Sequence, residues 1–155
     1  MYLSRIQIKN FRNFSDLNLI LGPTTVIVGE NRVGKSNLLA GLRLLFDPNF
    51  PDASRPLSAE DFWDGLDKPF NKHEIEISAE ISGFEGNDKA ESLFADYLIN
   101  NEPRTAKITY KFRPRTAFSP TADHDYEYVI YGGNDEKNKV PYDWKKGFPF
   151  WFYQR

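Results

Sequence analysis

Apolar and polar residues alternate along several stretches of this chain, and one helical spacing sits among them. Ile6 and Ile8 share one side of an extended segment, with Arg5, Gln7 and Lys9 on the other. Leu17, Leu19 and Leu21 alternate with Asn18 and Ile20, and Asn10–Asp16 between them reads as a turn, so the pattern predicts a hairpin. Gly22-Pro23 then turns the chain into Thr24–Val28, a run of β-branched residues with the composition of a buried strand. From Asn37 to Phe46 the apolar residues are Leu38, Leu39, Leu42, Leu45 and Phe46, a helical spacing that Pro48 ends.

Residues 47–72 hold Pro48, Pro51, Pro56 and Pro69 and predict an irregular connection. One helical turn is expected near Ser58–Phe62, with Ser58 as N-cap and Asp61 at N3. Phe62 and Trp63 are expected to pin this connection to the body. His73–Phe84 sets Ile75, Ile77, Ala79 and Ile81 against Glu74, Glu76, Ser78 and Glu80, a half-exposed antiparallel strand with an acidic outer face. Asp88–Asn100 predicts a helix with Ala90, Leu93, Phe94, Tyr97 and Leu98 as its stripe. Arg104–Arg113 and Tyr126–Tyr131 predict strands, and Gly132–Asp135 a turn. The first of these strands carries Lys107, Lys111 and Arg113 on one face, with Arg115 just beyond. That row would suit DNA phosphates, or would pair with the glutamate strand beside it. Trp144–Arg155 is strongly aromatic and calls for a partner.

Composition narrows the function classes. A chain of 155 residues is one domain or part of one, and its net charge of −2 carries no overall basic signature for nucleic acid. The absence of cysteine excludes a disulfide scaffold and a Cys-ligated zinc site, and His73 and His124, the two histidines, do not make a metal cluster. The Met1–Arg5 start lacks the apolar region of a secretory signal, and no apolar run is long enough to span a membrane, so a cytoplasmic protein is expected.

The chemistry concentrates at Gly29-Glu30-Asn31-Arg32-Val33-Gly34-Lys35-Ser36, which fits G-x-x-x-x-G-K-[ST], the phosphate-binding loop pattern. The order has a physical basis. A strand delivers the chain to a tight turn, and Gly29 and Gly34 let the backbone close on an anion. Backbone N–H groups from about Asn31 to Ser36 then point at the β-phosphate, helped by the helix N-terminus. Lys35 reaches the β/γ-phosphates, and the Ser36 hydroxyl ligates Mg²⁺. ATP and Mg²⁺ are the expected cofactors, with Asn37 completing the loop.

The pattern I-x-I-x-N-F-R-N-F, a second strand and V-I-V-G-E-N-R-V-G-K-S-N-L-L resemble the N-terminal lobe of the ABC-type ATPases that include RecF, SMC and OLD proteins. Leu44–Pro48 and Arg55–Leu66, with its D-F-W-D-G segment, are similar to OLD-family ATP-dependent endonucleases. The resemblance is clear over residues 3–85. It implies an α/β fold, the N-terminal lobe of an ABC-type P-loop NTPase with a mixed sheet, the P-loop helix and an antiparallel β region. It also implies that Arg12, with Asn13 beside it, contacts the nucleotide; otherwise Arg12 is a turn arginine bonded to a carboxylate such as Asp16. Arg32 stands where the commoner family loop has a third glycine, which reads as a subfamily feature or, as the alternative, a weakened nucleotide site.

The resemblance further implies parts that residues 1–155 do not contain: a Walker B strand, a signature motif and a Toprim nuclease domain. The expectation is therefore a first lobe of a larger enzyme with no catalytic residue in this chain. In that enzyme nucleotide binding would gate DNA cleavage, in phage defence or DNA processing, within a homodimer or higher homo-oligomer. The alternative is an SMC- or RecF-like head that binds ATP and DNA without nuclease activity.

Overall fold

The computed structural model describes residues 1–30, 34–50, 55–68, 72–115 and 120–148. Its frame is one sheet of six strands: β1 (Tyr2–Phe11), β2 (Phe14–Ile20), β3 (Ile75–Ser82), β4 (Leu98–Asn101), β5 (Arg104–Pro114) and β6 (Tyr126–Gly132). The order is β2-β1-β3-β5-β4, with β6 also on β5, and every pairing is antiparallel. β5 is long enough to take β4 beside its first residues and β6 beside the rest.

The predicted alternation appears as two unlike faces. Ile6, Ile8, Ile75, Ile77, Ile81, Ile108 and Tyr110 are each at most 1% exposed on the inner face. The helix α1 (Lys35–Phe46) crosses that face with Leu38, Leu42, Leu44 and Leu45 buried. Gly41 faces the sheet, where a Cβ would lie 3.4 Å from Ile8 Cδ1 and 3.5 Å from Ile77, at ordinary van der Waals contact. Leu39, expected in the stripe, points outward, and Leu44 takes an inward place instead.

The predicted helix over Asp88–Asn100 is shorter. α2 covers Asp88–Phe94, capped by the Asn87 side chain accepting from Ala90 N at 3.1 Å. A 3₁₀ turn over Ala95–Tyr97 follows, and Leu98 already belongs to β4. Pairing decided this: β4 takes ladder bonds from β5 that a longer helix would forgo. Beyond β6, a 3₁₀ segment at Tyr142–Gly147 stitches the helices together. Trp144 Nε1 donates to Leu93 O at 3.0 Å, and the buried Lys145 ammonium donates to Leu44 O at 2.8 Å in the last turn of α1. Trp144 and Phe148 join Phe46 and Phe94 in the core, so this part of the aromatic tail is partnered; residues 149–155 lie outside the described residues.

Thr24–Val28 departs from expectation. It forms no strand, and Val26 and Val28 are 79% and 86% exposed. β-branched composition suits a segment to a sheet, but a strand needs neighbours for its N–H and C=O groups. Among the described residues none pairs with this one.

Candidate phosphate-binding site

The site lies where the β1–β2 turn meets the start of α1. Gly34 has φ +100°, a left-handed conformation that glycine adopts freely. A Cβ there would fall 2.4 Å from the Asn13 amide nitrogen and 2.9 Å from the Phe14 ring, so the space belongs to the hairpin turn. Gly29 shows no such φ. α1 starts at the next residue with no side-chain cap and no acidic residue in its first turn. An anion at that end would meet backbone N–H groups and the positive end of the helix dipole.

Lys35 folds back across the mouth of the loop. Its ammonium donates to the Gly29 carbonyl and to the Glu30 carbonyl, the latter at 2.6 Å. Lysine offers three donors and no acceptor, so phosphate oxygens can share this ammonium with the carbonyls. Ser36 is exposed. The residues present therefore suit a polyphosphate with its cation: a glycine-restricted turn, an uncapped helix start, one ammonium and one hydroxyl. Asn31, Arg32 and Val33, also expected here, lie outside the described residues.

The turn contributes the remaining side chains. Asn10 and Arg12 both have positive φ, 56° and 51°. That conformation bends the chain so that Arg12 and Asn13 face α1. Arg12 Nη1 donates to Asn37 Oδ1 at 3.0 Å, and Asn37 Nδ2 donates to Asn13 Oδ1 at 2.7 Å. Arg12, Asn13, Gly34, Lys35, Ser36 and Asn37 are thus brought together from two separate stretches. The ion-pair partner of Arg12 is Asp61, at 2.9 Å, rather than the neighbouring Asp16. Reasoning from the sequence identified Asp61 as part of a capped turn, but nothing in its spacing tied it to Arg12.

The row of cations on β5 resolves toward pairing within the sheet. Lys111 lies opposite Glu76 and Lys107 opposite Glu80. The Lys111 ammonium also sits 3.3 Å from Glu74 and 3.5 Å from Glu136. Burial works against its charge, but Glu74 and its neighbours outweigh that and raise its pKa. Arg113 bonds Glu136 and Glu127, which raises its pKa in turn. Arg115 Nε donates to the His124 and Tyr126 carbonyls. Glu76 and Glu80 have cationic neighbours in Lys111 and Arg5. Among the described residues no helix is long and apolar enough to cross a membrane.

Comparison with known proteins finds relatives among nucleases and DNA replication and repair proteins. An OLD nuclease of Thermus scotoductus is 30% identical over 112 residues, 65% of this chain and 20% of that protein. Endonuclease GajA of Bacillus cereus is 51% identical over 47 residues, 30% of this chain and 8% of that protein. The DNA replication and repair protein RecF of Ligilactobacillus salivarius is 29% identical over 116 residues, 74% of this chain and 27% of that protein. The chain thus spans 27% or less of the length of each of these relatives. A solved structure from work on ATP-driven dimerization and DNA-stimulated activation of SMC ATPases superposes with a TM-score of 0.53 at 13% identity. It covers 97% of this chain and 85% of that one, and it supports the α/β fold of an ABC-type N-terminal lobe. The resemblance to OLD-type ATPases therefore holds beyond the motifs that first carried it. The AAA ATPase domain profile matches residues 1–146, and the chain belongs to that family.

Proposed function

We propose that this chain is the ATP-binding lobe of an OLD-like ATP-dependent DNA endonuclease. In this reading residues 1–155 are part of an ABC-type ATPase domain whose Walker B strand, signature motif and Toprim nuclease domain lie elsewhere in the protein. The observation that carries it is the convergence of Arg12, Asn13, Asn37 and Lys35 around the uncapped start of α1. Gly29–Asn37 cradles the phosphates, with Asn31, Arg32 and Val33 supplying loop backbone. Lys35 and Arg12 neutralise phosphate charge, and Ser36 holds Mg²⁺. When bound there, Mg²⁺ would supply positive charge that offsets the charge of the phosphates. Nucleotide binding sets domain or dimer geometry and so gates DNA cleavage in a cytoplasmic homo-oligomer. Phage defence or DNA processing is the role this reading suits.

The test is Lys35→Ala in the full-length protein. Loss of one charged contact to phosphate is expected to weaken Mg²⁺-ATP binding by about 10- to 100-fold. ATP-dependent DNA cleavage should fall with it. Unchanged ATP affinity would reject the site. ATP binding without any Mg²⁺-dependent cleavage would favour the SMC- or RecF-like head instead.

A further inference from the structure

Asp61 lies outside the phosphate-loop motif, yet it grips Arg12 twice. Its Oδ1 accepts from Arg12 Nε at 2.9 Å, and its backbone carbonyl accepts from Arg12 N at 2.8 Å. The adjoining residues complete a short antiparallel bridge: Phe11 lies opposite Phe62, and Trp63 N donates to Asn10 O at 2.9 Å. Phe11 and Phe62 are both buried, which anchors the bridge in the core. The Asp61 carboxylate is itself held, because Oδ2 accepts from Ser58 N at 3.0 Å across the 3₁₀ turn Ala59–Asp61.

We propose that Asp61 is a positioning residue for nucleotide binding, fixing the Arg12 guanidinium beside the phosphate loop with its unused donors toward a nucleoside triphosphate. The inference rests on the reading of Gly29–Asn37 as a nucleotide site. A guanidinium carries five N–H donors in a rigid fork. Here Nε goes to Asp61 and Nη1 to Asn37, while Nη2 has no acceptor among the described residues. The Arg12 side chain is 40% exposed, so a ligand can reach the guanidinium. The Asp61 side chain is only 18% exposed, and each of its oxygens already accepts a hydrogen bond. Its negative charge is therefore offset by Arg12. An ion pair this exposed adds little to stability. Its consequence is orientation: a long, flexible side chain is held in one rotamer before the ligand arrives.

The experiment is a double-mutant cycle in the full-length protein. Mant-ATP with Mg²⁺ is titrated into wild type, Arg12→Ala, Asp61→Ala and the double variant, with thermal melts alongside. Arg12→Ala should weaken binding about tenfold, the scale of a charged hydrogen bond. Asp61→Ala should weaken it about three- to tenfold, and the double variant should bind no worse than Arg12→Ala alone. Equal loss from Asp61→Ala with and without Arg12, or no loss in wild type, would overturn the role. If Asp61→Ala gives no cooperative melt, Asp61→Asn replaces it, with a smaller loss and the same non-additivity expected. Lys35→Ala separates the two levels. Lost binding with Lys35→Ala but an inert Asp61 rejects only the positioning role, whereas intact binding with Lys35→Ala rejects the nucleotide site beneath it.

Discussion

β3 and Thr24–Val28 are similar in composition and opposite in fate. Both carry β-branched residues suited to a pleated surface. β3 runs between β1 and β5, and its Ile75, Ile77, Ala79 and Ile81 are fully buried. Thr24–Val28 has no ladder neighbour among the described residues, and its valines face solvent. The contrast teaches that β propensity expresses fitness for a neighbour's surface. Where the neighbour is present, burial and ladder bonds convert fitness into structure. Where it is not, such residues remain exposed and outside the sheet.

Substitutions can break this comparison, and the largest effect should come from the paired region. Ile77→Ala removes a buried side chain beneath α1 and should cost about 2–5 kcal/mol in denaturant unfolding. A cost below about 1 kcal/mol would mean that β3 is not the centre of the core. Tyr110→Phe comes next. Its hydroxyl donates to Arg55 O at 2.6 Å from a fully buried ring, and burial pushes its pKa up. Leaving that carbonyl short of a donor should cost about 1–2 kcal/mol, read from the shift in urea midpoint.

A smaller effect is expected at the charged outer face. The Arg113 guanidinium, bonded to Glu136, holds that carboxyl below the usual carboxylate range. A depressed folded pKa contributes stability above the unfolded value, near pH ~4.3 for glutamate, and loses it as pH falls through the folded value. Glu136→Gln should therefore flatten the acid side of the stability–pH curve by no more than about 1 kcal/mol, since the pair is partly exposed. An unchanged curve would show that the pair contributes nothing. The smallest effect belongs to Val28→Ser. In this chain it should move stability by less than about 0.5 kcal/mol, as at other exposed positions. A loss comparable to that of Ile77→Ala would show Thr24–Val28 to be paired after all.

The sequence made some features legible because they depend on near neighbours. The alternation in β1 and β3 named inner-face residues correctly, since period two follows from the pleat alone. The turn at Ser58–Phe62 was readable for the same reason: a cap and its partner are three residues apart. The Gly34-Lys35-Ser36 run marked the start of α1. The length of α2 was not legible. Leu98 fits a helical stripe as well as a strand, and only the presence of β5 made it a strand.

The candidate site divides in the same way. Spacing along the chain named Gly34, Lys35 and Ser36, because a phosphate loop is a local turn joined to a helix. The N-F-R-N-F turn and the D-F-W-D-G segment both stood out as motifs, but nothing linear relates Arg12 to Asp61, 49 positions on. Their hydrogen bonds, the Phe11–Phe62 bridge and the placing of Asn13 over Gly34 exist only once the sheet and α1 have packed. Periodicity and turn chemistry act over a few residues and could be read directly. Which distant side chains share a guanidinium, and whether an apolar run finds a neighbouring strand, depend on packing across the whole core.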